Sequence, residues 1–173
     1  MSIKTLSPIE KYLKLPEGYP AELIGGEIVM TPSPSYKHQN TAIDISSKMK
    51  IFVEKKSAGI VLYEFDVHLD DENVIRPDII FVQNGRREII KENWVDGAPD
   101  IVVEVLSPST ITKDTIIKRD MYEKYGVKEY WIVDPENEEI FVYDNRKDRF
   151  NLICHGKKCT SNVLTGFSWG FKD

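Results

Sequence analysis

The sequence has 173 residues, is 41% hydrophobic, and carries 23 basic against 28 acidic residues, for a formal net charge of −5. This length suits one domain over residues 1–173, and the acidic balance excludes a protein that coats nucleic acid by bulk positive charge. No run is long and apolar enough to cross a membrane, so we expect a soluble, cytoplasmic protein without membrane partners.

Residues 1–20 form an arm with little periodicity, and residues 21–30 predict a β-hairpin that turns at Gly25-Gly26. A helix over about residues 35–56 follows, with Ser33 as its N-cap and Pro34 at its first position. Its apolar stripe consists of His38, Ala42, Ile45, Met49, Phe52 and Val53. His38 lies near the inner face of the helix, where it is either a packed histidine or a ligand.

Strict alternation predicts a strand over residues 60–69, and residues 74–82 predict its hairpin partner. Asp78 is unusual there because an acid directly precedes four apolar positions. Pro77 removes a backbone donor, so the strand should be irregular at that point. Residues 83–98 predict a polar excursion with a short helix.

Residues 101–106 predict a strand buried on both faces, with Glu104 in its middle. A carboxylate in that position must be paired, protonated or bound to a cation. A helix over about residues 112–125 follows, Gly126 ends it, and residues 129–133 predict the next strand. The segment is therefore a β-α-β unit with an ionisable group inside its first strand.

The second helix carries a charge on its apolar side. At 100° per residue, Lys118 lies at the centre of an apolar stripe, with Asp114 one turn earlier. The stripe consists of Ile111, Ile117, Met121, Tyr122 and Tyr125. Lys118 should therefore point toward the sheet that holds Glu104. The two residues form either a structural ion pair or half of an active site, and both interpretations stay open.

Residues 138–143 and 150–153 predict a C-terminal hairpin, and residues 154–173 an irregular tail that packs back on the core of residues 21–153. Cys154 and Cys159 are too few for a disulfide framework. Although His155 lies between them, no second cluster completes a metal site, so we expect reduced cysteines.

The element order predicts an α/β (α+β) fold with a mixed sheet, flanking helices, and an α-β-β-β-α-β core between two terminal hairpins. Its acids suit phosphodiester hydrolysis. Asp78 and Glu104 on neighbouring strands could hold Mg²⁺, which neutralises phosphate charge and activates water. A nearby lysine could orient that water or stabilise developing negative charge.

Four stretches resemble the Uma-type endonuclease-like family, a branch of the PD-(D/E)XK nuclease superfamily, over roughly residues 9 to 144. They are AELIGGEIVMTPSPSYKHQ, IRPDIIFV, PDIVVEVLSPST and KDTIIKRDMYEKYGVKEYWIVDP. The resemblance implies a restriction-endonuclease-like core and a Mg²⁺ or Mn²⁺ site. The implied metal ligands are Asp78, Glu104 and the main-chain carbonyl of Val105.

The sequence departs from the superfamily pattern at position 106, where Leu106 replaces the expected lysine. The resemblance implies that the following helix supplies this lysine, which would be Lys118. Glu27 and His38 lie in the family's amino-terminal motif and are accessory candidates. For Glu27, a surface hairpin carboxylate is an equal alternative.

The expected partner is nucleic acid, with DNA favoured, and the candidate phosphate contacts are Lys37, Lys113 and Arg119. A homodimer is expected because cutting both strands of a duplex often needs two sites. The alternatives are a catalytically degenerate nuclease fold that binds nucleic acid or protein, and a structural role for a buried Glu104–Lys118 pair.

Overall fold

The structure is a computed structural model and describes residues 6–172. Its α-helices are α1 (Pro8–Tyr12), α2 (Tyr36–Lys56) and α3 (Arg119–Tyr125), with a 3₁₀ segment at Asn84–Ile89 and a π-helical segment at Lys113–Lys118. Its strands are β1 (Ala21–Ile24), β2 (Glu27–Met30), β3 (Gly59–Tyr63), β4 (Val67–Asp70), β5 (Asn73–Ile75), β6 (Ile79–Gln83), β7 (Val95–Asp96), β8 (Ile101–Val105), β9 (Glu129–Asp134), β10 (Glu139–Asn145), β11 (Phe150–Gly156), β12 (Lys158–Thr160) and β13 (Ser168–Gly170).

The larger sheet has the order β11-β10-β9-β8-β6-β3. Strands β8 and β9 are parallel, because the helical segment between them crosses over one face, while the other neighbours are antiparallel. The predicted mixed sheet, the α-β-β-β-α-β core and both terminal hairpins are therefore confirmed.

The predicted single strand over residues 60–69 is wrong. The chain leaves the larger sheet at Glu64, whose φ is 46°, and β4 joins a smaller sheet of order β2-β1-β5-β4-β7. The expected hairpin partner is split in the same way, because β5 pairs with β4 while β6 pairs with β3. The alternation of apolar and polar side chains could not show this break, because it continues unchanged across Glu64, the residue with left-handed backbone.

Helix α2 packs its apolar stripe on one face of the larger sheet. Ala42, Ile45, Met49 and Val53 are buried as predicted, in one cluster with the inward side chains of β6, β8 and β9. The N-cap is Ser35, not Ser33, and its Oγ accepts a hydrogen bond from the His38 N–H at 3.2 Å. Ser35 is itself extended, so the helix cannot begin at Pro34.

The opposite face of the larger sheet packs against the smaller sheet and α3. Val102 of β8 and Tyr130 of β9 lie in a cluster with Val67, Val95 and Tyr122. Strand β8 is therefore buried on both faces, as its apolar run predicts. Glu104 faces the same side as Val102, because side chains two residues apart in a strand project together.

The tail is more ordered than expected, since β12 and β13 pair in it. Glu129, fully buried in β9, accepts hydrogen bonds from Trp131 Nε1 at 2.7 Å, Ser161 Oγ at 2.6 Å, and the N–H groups of Asn162 and Val163 at 2.7 and 3.1 Å. The turn between β12 and β13 is thus fixed by one buried carboxylate.

Cys154 and Cys159 form a disulfide, so the expectation of reduced cysteines is wrong. The chain bends at Lys157 between β11 and β12, and the two Cα atoms lie 5.9 Å apart, within the range that a disulfide spans.

No helix between residues 6 and 172 combines the length and the apolar composition needed to span a membrane.

Candidate active site

A cleft of about 340 Å³ lies between the N-terminal hairpin, the start of α2 and the helical segment after β8. Charged side chains from all these elements line it. The acids are Glu22, Glu64, Asp78, Glu104 and Asp114, and the basic residues are His38, Arg76, Lys113 and Lys118. Five acids and four basic residues therefore meet in this cleft.

Asp78 and Glu104 come together because of the register between β6 and β8. These strands are antiparallel with Ile79 opposite Val103, so one further step places Asp78 opposite Glu104. Opposite residues of an antiparallel pair project to the same face. The N–H of Val105 also donates to Asp78 Oδ2 at 2.6 Å, which fixes the Asp78 carboxylate against β8.

His38 is the second partner of Asp78. Its Nε2 lies 3.2 Å from Asp78 Oδ2, and the two side chains are 11% and 13% exposed. Burial alone would lower the pKa of His38, but the hydrogen bond to Asp78 and the carboxylate's charge raise it above its ordinary 6.5. His38 therefore favours its protonated form more than an ordinary histidine does.

Glu104 accepts two hydrogen bonds at the same oxygen. Lys118 Nζ lies 2.9 Å and Tyr122 Oη 2.6 Å from Glu104 Oε1. Burial raises the pKa of Glu104 to about 8 despite the nearby lysine. The Tyr122 hydroxyl stays a donor, because burial and the adjacent carboxyl raise its pKa well above the ordinary value.

Lys118 is surrounded by carboxylates. Besides Glu104, its Nζ lies 2.8 Å from Glu22 Oε1 and 3.5 Å from Asp114 Oδ1. Burial alone would lower the pKa of Lys118, but the three acids raise it well above the ordinary value. Lys118 is therefore a buried cation that holds three acids together.

The predicted apolar stripe around Lys118 is wrong for its two isoleucines, whereas Tyr122 is buried and Met121 and Tyr125 pack against the same core cluster. Lys118 does point toward Glu104. Ile111 and Ile117 are 45% and 47% exposed, while the buried side chains are Asp114, Lys118 and Tyr122. These isoleucines are exposed because Lys113–Lys118 is π-helical. A π-helix has a wider turn than an α-helix, so the residues do not follow the rotation of 100° per residue that the predicted stripe assumed.

Glu22 is the site residue that the sequence analysis missed. It is fully buried, and its Oε2 lies 2.6 Å from Lys113 Nζ. Its Oε1 accepts a hydrogen bond from the Arg76 N–H at 3.0 Å. Burial would raise the pKa of Glu22, but Lys118 and Lys113 lower it to about 2. The available signal was an acid within the short apolar strand AELI, the same signal that singled out Glu104.

The remaining candidate residues lie in different surroundings. Glu27 is exposed at the start of β2 and does not line the cleft. Lys37 Nζ pairs with Glu136 Oε2 at 2.7 Å. The Arg119 guanidinium lies over the ring of Tyr143, 5.4 Å from its centroid. Of the three expected phosphate contacts, only Lys113 lines the cleft.

The donor set fits a divalent cation. Among residues 6–172, no three His, Cys, Asp or Glu side chains converge as a ready-made metal cluster, because the Lys118 ammonium lies between the acids. The hydrogen-bond partners engage Oδ2 of Asp78 and Oε1 of Glu104, so Oδ1 and Oε2 are available to a ligand. Two carboxylates completed by water and a phosphate oxygen are a common Mg²⁺ environment.

Two solved structures are similar to this chain to different extents. A putative nuclease belonging to DUF820 from Anabaena variabilis ATCC 29413 superimposes with a TM-score of 0.72 at 24% identity, covering 86% of this chain and 84% of that one, which shows a shared fold. The type IIG restriction endonuclease BpuSI matches with a TM-score of 0.43 at 12% identity, over 71% of this chain and 14% of that one. No curated protein matches the chain.

The sequence profile of the Uma2 family, described as "Putative restriction endonuclease", matches residues 9–154. That range contains every charged residue that lines the cleft. The chain therefore belongs to the Uma2 family, and its mixed sheet has the restriction-endonuclease-like fold.

Proposed function

We propose that this protein is a metal-dependent endonuclease that hydrolyses phosphodiester bonds in nucleic acid, with DNA as the substrate. The observation that carries the proposal is the meeting of Asp78 and Glu104 on adjacent strands, beside the cation of Lys118. Membership of a restriction endonuclease family supports the same reaction.

Asp78 and Glu104 would hold Mg²⁺ or Mn²⁺, with the main-chain carbonyl of Val105 as the third protein ligand. When bound, this cation would neutralise phosphate charge and lower the pKa of an attacking water. The available oxygens, Asp78 Oδ1 and Glu104 Oε2, support this assignment, because the other oxygen of each carboxylate is already engaged.

The remaining residues of the cleft would orient the carboxylates and the reacting groups. His38 holds Asp78 from the side of α2, and Tyr122 holds Glu104 from the side of α3. Lys118 would position the attacking water or stabilise the negative charge that develops on phosphate oxygens. Glu22 binds both Lys113 and Lys118, so it would fix the lysines at one wall of the cleft.

A structural role for the same residues is the second candidate. Lys118 is only 4% exposed and contacts three acids, which also fits an ion-pair cluster that holds the helical segment on the sheet. Buried ion pairs add little stability compared with well-packed apolar side chains. A family member that had lost catalysis would have little reason to retain three acids around one lysine.

Three finer points belong to the proposal. A homodimer would supply two sites for the two strands of a duplex. We also propose a cytoplasmic location. The available carboxylate oxygens are hard ligands, which favours Mg²⁺ or Mn²⁺ over softer metals.

Calorimetric titration with Mn²⁺, followed by a plasmid-nicking assay in Mg²⁺ or Mn²⁺ and in EDTA, tests the proposal. We expect saturable Mn²⁺ binding together with nicking that EDTA abolishes. Absence of both, at any metal concentration, would favour the structural role.

A further inference from the structure

A second cavity, of about 750 Å³, opens beside the candidate active site. It lies between the loop that follows α1 and the edge of the smaller sheet formed by β4 and β7. Gly18, Glu64 and Arg76 line both this cavity and the cleft, so the two spaces share a wall. A nucleic-acid strand whose phosphate lies in the cleft could therefore place a neighbouring group in the cavity.

A stacked aromatic pair lines the cavity. The rings of His68 and Trp94 lie 5.0 Å apart at 13°. Trp94 is partly exposed, whereas the protein's other tryptophans, Trp131 and Trp169, are 0% and 4% exposed. Burial lowers the pKa of His68 below its ordinary 6.5, so the pair is uncharged at neutral pH. Flat uncharged aromatic faces beside a phosphate site suit base stacking.

The polar groups of the cavity disfavour a phosphate and suit a base. Glu17, Glu64 and Asp66 line it, against the single full cation of Arg76. Arg76 Nε donates to Asp66 Oδ1 at 2.6 Å, so Nη1 and Nη2 are available at the wall shared with the cleft. Arg76 could contact a phosphate there. Asp66 Oδ2 already accepts a hydrogen bond from the Tyr12 hydroxyl at 3.3 Å, so Glu17 and Glu64 are the carboxylates that could accept hydrogen bonds from base amino groups.

We propose that this space, the base cavity, binds an unpaired nucleobase next to the phosphate held at Asp78 and Glu104. The substrate class is then nucleic acid with unpaired nucleotides at the cleavage point, such as a single strand, an overhang or a branch. A paired base could not enter, because its faces and its Watson–Crick edge are already occupied within the duplex. This inference rests on the proposed function and adds the substrate's structure to it.

The test measures binding of a fluorescein-labelled single-stranded oligonucleotide and of a fully paired hairpin by fluorescence anisotropy, with Ca²⁺ in place of Mg²⁺ or Mn²⁺, so that the cleft can keep a cation that carboxylates bind. The variants are His68→Ala and Trp94→Ala. The matched control is His155→Ala, which alters a similar stacked pair with Phe141 (centroids 4.2 Å apart, 14°) in the C-terminal hairpin. Trp94→Phe keeps an aromatic ring at this position, so it can still be compared with the wild type if Trp94→Ala does not fold.

We expect the wild type to bind the single strand more tightly than the hairpin. His68→Ala and Trp94→Ala should lose about 5- to 150-fold in single-strand affinity, the range for one lost base stack, while His155→Ala and Trp94→Phe keep most of it. Equal affinity for the two oligonucleotides would overturn the proposal. A loss in His68→Ala no larger than in His155→Ala would also overturn it.

A nicking assay separates this inference from the proposed function. If the wild type binds single strands through the base cavity but cleaves nothing in Mg²⁺ or Mn²⁺, the nuclease proposal is wrong and the proposed base binding is supported. If the wild type cleaves nucleic acid while His68→Ala keeps the wild-type affinity for the single strand, the proposed base binding is wrong and the nuclease proposal is supported.

Discussion

Lys118 Nζ lies 2.9 Å from Glu104 Oε1, and both side chains are only 4% exposed, although the two residues come from a helical segment and a central strand. The contact joins the π-helical segment to the larger sheet, beside the position of Asp78. A structural pair and a catalytic pair would share this geometry. They differ in the result of removing one charge, because only a catalytic pair would lose cleavage per folded molecule.

Asp78→Asn should weaken Mn²⁺ binding while keeping the fold. The amide oxygen can still accept the Val105 N–H hydrogen bond, but it is a weaker ligand than a carboxylate. The affinity loss should be at least the roughly 10- to 100-fold seen when an outer-shell partner is removed, as measured by calorimetry.

Asp100→Asn is the matched control for that experiment, because Asp100 also follows a proline but binds Arg86 and Lys128 instead of lining the cleft. It should bind Mn²⁺ like the wild type. Equal Mn²⁺ affinity in Asp78→Asn and the wild type would place the metal elsewhere.

Asp100 should instead contribute to stability in a pH-dependent way. Burial alone would raise the pKa of Asp100, but the Gln83 N–H, Lys128 and Arg86 hold it below the ordinary 3.8. Its contribution is therefore complete above the unfolded-state pKa of about 3.9 and is lost as the pH falls through the lower folded-state value. Urea denaturation should show Asp100→Asn less stable by about 1.5–3 kcal/mol at pH 7. This difference in unfolding free energy between Asp100→Asn and the wild type should become smaller at acidic pH. A difference that became larger at acidic pH would contradict this role of Asp100.

Much of the fold follows from local sequence patterns. The hairpin at Gly25-Gly26 and the stripe of α2 were predictable because their periodicities match single regular elements. The split at Glu64 was not, since a left-handed φ at a non-glycine residue leaves no trace in the alternation of apolar side chains. Sheet membership depends on distant partners, which one segment of sequence does not encode.

The candidate site was predictable only in part. Asp78 and Glu104 stand out as acids in apolar strands, and the structure brings them together. Glu22 carries the same signal, yet its role depends on the smaller sheet placing β1 against Lys113 and Lys118. The direction of Lys118 was correct although the two isoleucines of the stripe are exposed, because the π-helical segment changes the rotation between residues but leaves Asp114, Lys118 and Tyr122 inward.

Glu129→Gln should loosen the C-terminal tail without altering the cleft. The carboxylate's four hydrogen bonds bind Trp131 to the turn at Ser161, and an amide cannot accept all four, because its nitrogen is a donor. We expect a stability loss of about 1–3 kcal/mol. Hydrogen exchange should accelerate in residues 158–170 before it does so elsewhere. Uniform acceleration over the whole chain would instead show that the tail unfolds together with the core.

Nucleic-acid binding should depend weakly on salt, because the protein carries a net charge of −5 and most of its candidate cations are paired with acids. Lys37→Ala should reduce the slope of log K against log salt by about 1 if Lys37 contacts a phosphate. Lys50→Ala is the control, since Lys50 lies on the same helix, is 64% exposed and is also near an acid, Glu54. Identical slopes in the two variants and the wild type would remove Lys37 from the interface.

Nicking activity of Lys118→Met, measured per folded molecule beside its thermal and urea unfolding, tests the catalytic assignment most directly. Methionine keeps most of the stem's packing and removes the charge, so three acids lose their shared partner and stability should fall by about 3–5 kcal/mol. Lys113→Met, which removes a cation that contacts Glu22 alone among these acids, controls for a general loss of positive charge. We predict that cleavage by folded Lys118→Met falls about 100- to 1,000-fold, and much less in Lys113→Met. Wild-type cleavage per folded molecule in Lys118→Met, together with the stability loss, would contradict a catalytic Lys118 and leave it a structural ion pair.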